Sequence, residues 1–201
     1  MVIFYHRLMQ LLLGWGTVGI LYSLSQLTPI TPNLLYESRW DAAIAFNPDA
    51  IIWYLSFFVL IPAAYLCVRL EQLIDLRRAM QLAGFICALV FITYPTLVAS
   101  QPAIVISNTS TQILEFVRQF DTGKNCLPSL HAALTLIAVW AIYHGSGFVQ
   151  LFRRLIVVIW GCLILYSIIQ VRRHLFIDVG AGLVVGVISL VISSYFSQKS
   201  A

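Results

Sequence analysis

Residues 175–196 read LFIDVGAGLVVGVISLVISSYF, an apolar run whose one charged residue, Asp178, stands near its start. A helix needs ~20 mostly apolar residues to cross a bilayer, and this run supplies them. Similar runs lie near residues 8–27, 50–70, 80–100, 129–146 and 154–171. They are continuous and lack period-2 alternation, so they predict helices and not the strands of a transmembrane barrel. The expected fold is all-α: a polytopic membrane protein forming a six-transmembrane-helix bundle, with residues 1–201 as a single integral membrane domain.

The composition agrees. Hydrophobic residues make up 60% of the chain and charged residues 10%, against about 25% charged in an ordinary soluble domain. A soluble domain of this length could not hide so much apolar surface from water. That argues against a soluble enzyme and against a disordered chain. The net charge of +4 does not imply a nucleic-acid partner, because the basic residues are scattered among the loops and form no stripe. They report topology instead. With the amino terminus cytoplasmic, Arg7, Arg69, Arg77, Arg78, Arg153, Arg154 and Lys199 fall inside, while Arg39, Arg118, Lys124, Arg172 and Arg173 fall outside with most of the acids. This bias has the positive-inside sign. The first run has no clear small-x-small cleavage site after it, and Gly14, Gly16 and Gly19 suit a packed helix, so it reads as a span and not a signal peptide. Cys67, Cys87, Cys126 and Cys162 are widely spaced with no C-x-x-C pair, which points to neither a zinc motif nor a redox motif.

Between the spans, residues 28–49 form a proline-punctuated outer loop and residues 71–79 a short charged inner one. The longest outer connection is 101–128. In it Ile113, Phe116, Val117 and Phe120 recur at helical spacing beside Glu115, Arg118 and Asp121, as in an amphipathic helix lying on the membrane surface. Such a helix can serve as a lid or as an inert segment. Residues 147–153 join the fourth and fifth spans, and residues 172–174 make a tight turn between the fifth and sixth. Gly182 and Gly186 form a small-xxx-small pair expected to let two helices of the bundle approach closely.

Charged groups at a membrane boundary are costly unless paired or useful, and here they gather in two places. The first is Lys124-Asn125-Cys126-Leu127-Pro128-Ser129-Leu130-His131. Pro128 suits a helix start, and the free backbone N–H groups of a first turn make an anion site. Ser129 adds a hydroxyl donor, and His131 can move a proton near neutral pH. The second is Arg172-Arg173-His174-Leu175-Phe176-Ile177-Asp178. On a helix, His174 and Asp178 would share a face. The carboxylate can then hold one imidazole nitrogen and leave the other free to attack. The neighbouring arginines can neutralise phosphate charge. Taken alone, each cluster reads equally as a capped or salt-bridged helix start. Together they describe phosphoryl transfer through a phosphohistidine: His174 attacks phosphorus, Asp178 orients it, and His131 protonates the leaving oxygen and then activates the acceptor. A metal site from His131, His174, Asp178 and Asp121 is the competing constellation. Arg172 and Arg173 would repel a divalent cation there, so no metal or other cofactor is expected.

These residues resemble the membrane branch of the type 2 phosphatidic acid phosphatase superfamily. Its Pro-Ser-Gly-His motif is matched by Pro128-Ser129-Leu130-His131, and the His-x-x-x-Asp end of its third motif by His174 and Asp178. The Pro-Ser-Leu-His variant, with the stretch from Phe91 to Thr96, looks like the subgroup that includes inositol phosphorylceramide synthases. The resemblance covers roughly residues 40–190. It implies that His174 is the nucleophile, Asp178 its orienter, His131 the general acid and Ser129 a phosphate ligand. The chain departs from the family at three cations: Tyr94 stands at a lysine position, Gln101 at the arginine of an Arg-Pro pair, and Ile168 at the arginine before the third motif. Lys124, Arg172 and Arg173 are the expected replacements. The expected activity is hydrolysis of a phosphorylated or pyrophosphorylated lipid at the outer leaflet of a plasma or inner membrane. The alternatives are transfer of the phospho-headgroup to an alcohol, or a non-catalytic scaffold. A transporter or channel fits poorly, since ionisable residues at mid-span are essentially missing.

Overall fold

Every long apolar run becomes helix in the computed structural model, which describes residues 1–121, 123–144 and 150–200. In chain order the helices are α1 (Val2–Ser25), α2 (Arg39–Ala42), α3 (Ile51–Leu55), α4 (Phe57–Cys67), α5 (Leu73–Thr93), α6 (Thr109–Phe120), α7 (Leu130–Tyr143), α8 (Gln150–Gln170) and α9 (Phe176–Ser200). Among the described residues, five helical stretches are long and apolar enough to cross a membrane: Val2–Ser25, Pro48–Cys67, Leu70–Thr93, Leu151–Gln170 and Phe176–Ser197.

The expected fourth span, 129–146, differs. It yields α7, which is apolar but has only 14 residues. That is roughly 21 Å at 1.5 Å per residue, against a hydrocarbon core of ~30 Å. Positions 145 and 146, and residues 147–149 of the connection that follows, lie outside the described residues. The helix is nonetheless the axis of the bundle. Ala132, Ala133, Thr135, Ile137, Ala138 and Ala141 are all buried, and α4, α5, α8 and α9 pack around it. Its alanines let those neighbours approach closely, and a helix apolar all round belongs in a core.

The third span is shifted from the expected 80–100. Helix α5 begins at Leu73 and takes in Arg77 and Arg78, which the sequence reading placed in a loop. Arginine stems lie along apolar surface while their heads reach the interface, so the pair does not stop the helix. Helix α5 ends at Thr93 because Tyr94 precedes Pro95, a position biased away from helical backbone; Tyr94 has φ −142 and ψ 65.

The chain then turns extended, and this departs from a purely helical fold. Strand β1 (Asn33–Leu35) pairs in parallel with β2 (Thr96–Val98), Asn33 opposite Thr96. Asn125 bridges to Thr96 as well. Three loops are thereby tied together: the 28–49 loop, the segment after α5, and the run leading into α7. The expected amphipathic helix is present as α6. It buries Leu114 and leaves Phe116 and Phe120 exposed.

Candidate active site

The turn between α8 and α9 is strongly determined. Helix α8 ends in a Schellman arrangement: Arg173 N–H donates to the Ile168 carbonyl at 3.1 Å and Arg172 N–H to the Ile169 carbonyl at 3.0 Å. The residue at the left-handed position is normally glycine, yet here it is Arg172, with φ 57. Its side chain accounts for the choice. Arg172 donates to the carbonyls of Asp41 at 3.0 Å and Ile44 at 2.6 Å and pairs with Glu37 at 3.2 Å. The guanidinium therefore fastens the 28–49 loop to the turn. Asp41 completes the fastening by accepting the Phe176 N–H, the first of α9, at 2.8 Å. Burial alone would raise the Asp41 carboxyl. The Ser38 hydroxyl, the Phe176 and Ser38 N–H groups and Arg172 outweigh it and hold the carboxyl below its ordinary value.

His174 precedes α9 and is not on it, so a shared helix face is not what brings it to Asp178. Asp178 occupies the third helical position and reaches back, accepting the Leu175 N–H at 2.9 Å. The same oxygen meets His174 Nδ1 at 3.3 Å. Helix cap and histidine orienter are thus one carboxylate, and its other oxygen is buried without a hydrogen-bond partner.

The second histidine is brought up by helix packing. Pro128 stands before the cap and not in the first turn. Ser129 is the cap residue, its hydroxyl oxygen accepting the Ala132 N–H at 3.3 Å, and His131 follows in the first turn of α7. Ser129 N–H donates to the Asp178 carbonyl at 2.9 Å, which joins the starts of α7 and α9. Gly182 makes this junction possible, since a Cβ there would collide with the Ser129 carbonyl. The His131 ring packs between Tyr54 and Phe57, with centroids 5.1 Å and 4.8 Å away. It stands 5.8 Å from the His174 ring.

Arg173 turns to the opposite partner from Arg172. It pairs with Asp121, at the end of α6, at 2.5 Å and also donates to the Asp121 carbonyl at 3.1 Å. The other Asp121 oxygen accepts the Tyr22 hydroxyl at 2.8 Å. Burial alone would raise the Asp121 carboxyl, but Arg173, Tyr22 and the Gly123 N–H hold it below its ordinary value. Between α1, α3, α4, α6 and α7 lies an apolar cavity of about 360 Å³. Trp15, Tyr22, Phe58 and Phe120 line its walls, and His131, Asp121, Ser23 and Gln26 are among its polar members.

A model of the PAP2 superfamily matches residues 40–192. The chain belongs to the PAP2 superfamily. Members are typically phosphoesterases, and the apolar helices make this PAP2 chain an integral membrane protein of phosphatase type. No curated protein and no solved structure matches it significantly.

Within this PAP2 chain, His131, His174, Asp178 and Ser129 come together at one end of the bundle. The expected phosphate cations separate. Arg173 stands beside that group, and Arg172 is committed to the 28–49 loop. Lys124 gives its carbonyl to the Thr96 N–H at 3.0 Å, and no contact of its ammonium with the histidines is recorded among the described residues. The competing metal constellation also assembles differently. Among the described residues the converging donors are Cys126, His174 and Asp178, without His131 or Asp121.

Arg118 on α6 was not singled out from the sequence. It donates to the Pro102 carbonyl at 2.8 Å, beside the position where the superfamily motif has its arginine and this chain has Gln101. Its Nε and Nη2 are buried and carry no hydrogen bond. Burial, and then repulsion from Arg173, lower its pKa. The i,i+3 spacing of Arg118 and Asp121 on α6 was the available signal.

Proposed function

We propose that this PAP2 chain is a lipid phosphatase that works through a phosphohistidine at the outer membrane face. The carrying observation is that His131 and His174 lie 5.8 Å apart with His174 Nδ1 held by Asp178 at 3.3 Å. His174 Nε2 attacks phosphorus, and the bond from phosphorus to the leaving oxygen breaks. His131 supplies the proton that the leaving oxygen takes. His131 then removes a proton from water, the hydroxide attacks phosphorus, and the N–P bond breaks to free His174. Ser129, the N–H groups of the first α7 turn, Arg173 and Arg118 neutralise the phosphoryl oxygens. Arg118 takes the place of the arginine missing at position 101.

Two features support a lipid substrate presented from outside. The apolar cavity runs from His131 between helices, a shape that takes an acyl or prenyl chain. At the other end of the bundle Arg7 donates to the Tyr65 carbonyl and Arg154 to the Tyr143 carbonyl. Helix α7 thus links the cationic end to the histidine end, which supports counting it as a sixth crossing. By the positive-inside rule the histidine end then faces outward.

The test is phosphate release from a panel of phospholipids and polyprenyl pyrophosphates by purified protein in detergent, with and without EDTA. Release that survives EDTA and vanishes in His174→Ala is the expected result. Release abolished by EDTA overturns the mechanism. The Pro-Ser-Leu-His variant favours one further arm, in which alcohols are added and phosphorylated alcohol is measured. Product there with no free phosphate identifies a phosphotransferase, which would share the same phosphoenzyme.

A further inference from the structure

The most concentrated set of donors not used by this mechanism involves Cys126. Its thiol donates to the Gly123 carbonyl at 3.0 Å, and its sulfur, a His174 ring nitrogen and an Asp178 oxygen lie within 4.8 Å of one another. All three residues are buried. Thiolate, imidazole and carboxylate are the ligand types that bind zinc. With Zn–S near 2.3 Å and Zn–N and Zn–O near 2.0–2.2 Å, ligand atoms in a closed tetrahedron stand roughly 3.3–3.6 Å apart. The His174–Asp178 separation of 3.3 Å already meets this, and the sulfur, within 4.8 Å of both, needs to close in by at most about 1.2 Å. A second observation is independent of the spacing: Asp178 Oδ1 is buried with no hydrogen-bond partner, a lone-pair donor that burial leaves in deficit.

We propose that Cys126, His174 and Asp178 form an inhibitory site for a soft divalent cation such as Zn²⁺. On binding, the Cys126 S–H bond breaks, its proton passes to solvent and an S–Zn bond forms; the His174 proton moves from Nδ1 to Nε2 as Nδ1 takes up the ion, and no electrons are exchanged. Nε2 then carries the proton and has no lone pair for attack, and the carboxylate that orients His174 is diverted to the metal. Arg173, in the same turn, disfavours the cation, which suits a reversible inhibitor better than a resident cofactor. Binding stands on the donor geometry alone, whereas inhibition rests on the phosphohistidine reading.

The experiment uses the full chain in detergent. Co²⁺ is titrated first and the near-ultraviolet thiolate-to-cobalt charge-transfer band is recorded. Zn²⁺ is then added as competitor, and phosphate release is followed in parallel. The expected result is one equivalent of Co²⁺ with a thiolate band, displaced by Zn²⁺, and a band missing in Cys126→Ser. Zinc should inhibit the wild type at least ~10-fold more strongly than Cys126→Ser. Cys67→Ser/Cys162→Ser, which removes the exposed thiols, should keep both band and inhibition. If Cys126→Ser does not fold, Cys126→Ala replaces it. Should neither fold, a zinc-dependent rise in wild-type melting temperature, retained in Cys67→Ser/Cys162→Ser but lost in Asp178→Asn, decides for the site. No thiolate band, a band that disappears with the exposed thiols, or equal inhibition of Cys126→Ser overturns the proposal. A band with no phosphate release from any lipid leaves the metal site standing and removes the phosphatase reading.

Discussion

Arg172 and Arg173 are adjacent in the chain, yet their surroundings assign them opposite work. The left-handed backbone at Arg172 separates the two side chains. Arg172 enters the 28–49 loop and is consumed by Glu37, Asp41 and Ile44. Arg173 meets Asp121, with the cavity and His131 close by. One arginine holds the scaffold and the other stands beside the proposed site. The lesson is that nearness in sequence to a candidate catalytic histidine says little about a cation's role; the backbone conformation between them decides it.

The largest expected effect separates the pair by activity. Arg173→Ala removes a cation from the proposed phosphoryl site and should lower kcat/KM by ~10²–10³-fold; stability should fall as well, because Asp121 loses its partner. Arg172→Ala should act on stability alone. It leaves Glu37 and two buried carbonyls without a donor, so stability should fall by about 3 kcal/mol. Arg172→Gly refines this, because glycine relieves the backbone and should recover about 1 kcal/mol of that loss. Thermal melts in detergent beside initial rates measure both axes. Equal activity losses in the two alanine variants would erase the distinction.

Gly182→Ala tests the junction between the starts of α7 and α9. The added Cβ meets the Ser129 backbone, and overpacking of this kind costs about 1–3 kcal/mol. Because Ser129 N–H bonds to the Asp178 carbonyl, the shift should also separate the histidines, so activity should fall more than stability alone explains.

The scaffold and the site also differ in how openly the sequence announces them. Five of the spans, helix α6 and the Pro128–His131 and His174–Asp178 motifs could be read directly, because apolar runs and local spacing are properties of one segment. Asp41 was half legible: Ser38 three residues before it spells a capping box, which forms, but nothing local says that its carboxylate also caps α9. The Arg172 clamp and the Asp121–Tyr22 bond join residues 128 and 99 apart in sequence. Such pairings depend on how the loops fold back, which no periodicity encodes. The small sheet was missed for the same reason, since three-residue strands carry no alternation to read. Arg118 was overlooked because its relevance comes through Pro102 and Arg173, not through a motif.

A smaller effect tests the Arg173–Asp121 pair by pH. The folded-state pKa of Asp121 lies below its ordinary value. The stabilisation is therefore complete above the unfolded carboxylate pKa, ~3.9, and is lost as pH falls through the lower folded value. Melting temperature should drop below about pH 4, and the drop should be shallower in Asp121→Asn. It should not vanish, because Asp41 is shifted in the same direction.

The smallest effect concerns the mouth of the cavity. Phe120 is 70% exposed, stacks on Phe116 at 4.5 Å and lines the cavity. An aromatic pair left uncovered at a cavity mouth contributes little to folding, so its removal should act on substrate. Truncation to alanine removes about 1 kcal/mol of contact with an apolar chain, which converts to roughly a fivefold rise in KM for a long-chain lipid phosphate. kcat should stay unchanged, because Phe120 is remote from the transferred phosphoryl group. A short-chain, water-soluble phosphate ester has no tail to place there, and its KM should not move. If both substrates weaken equally, α6 positions Asp121 and Arg173 for every substrate and the cavity does not select the lipid. If only the long-chain substrate weakens, tail and headgroup are read by different parts of one helix: Phe116 and Phe120 contact the chain while Arg118 and Asp121 govern the charge.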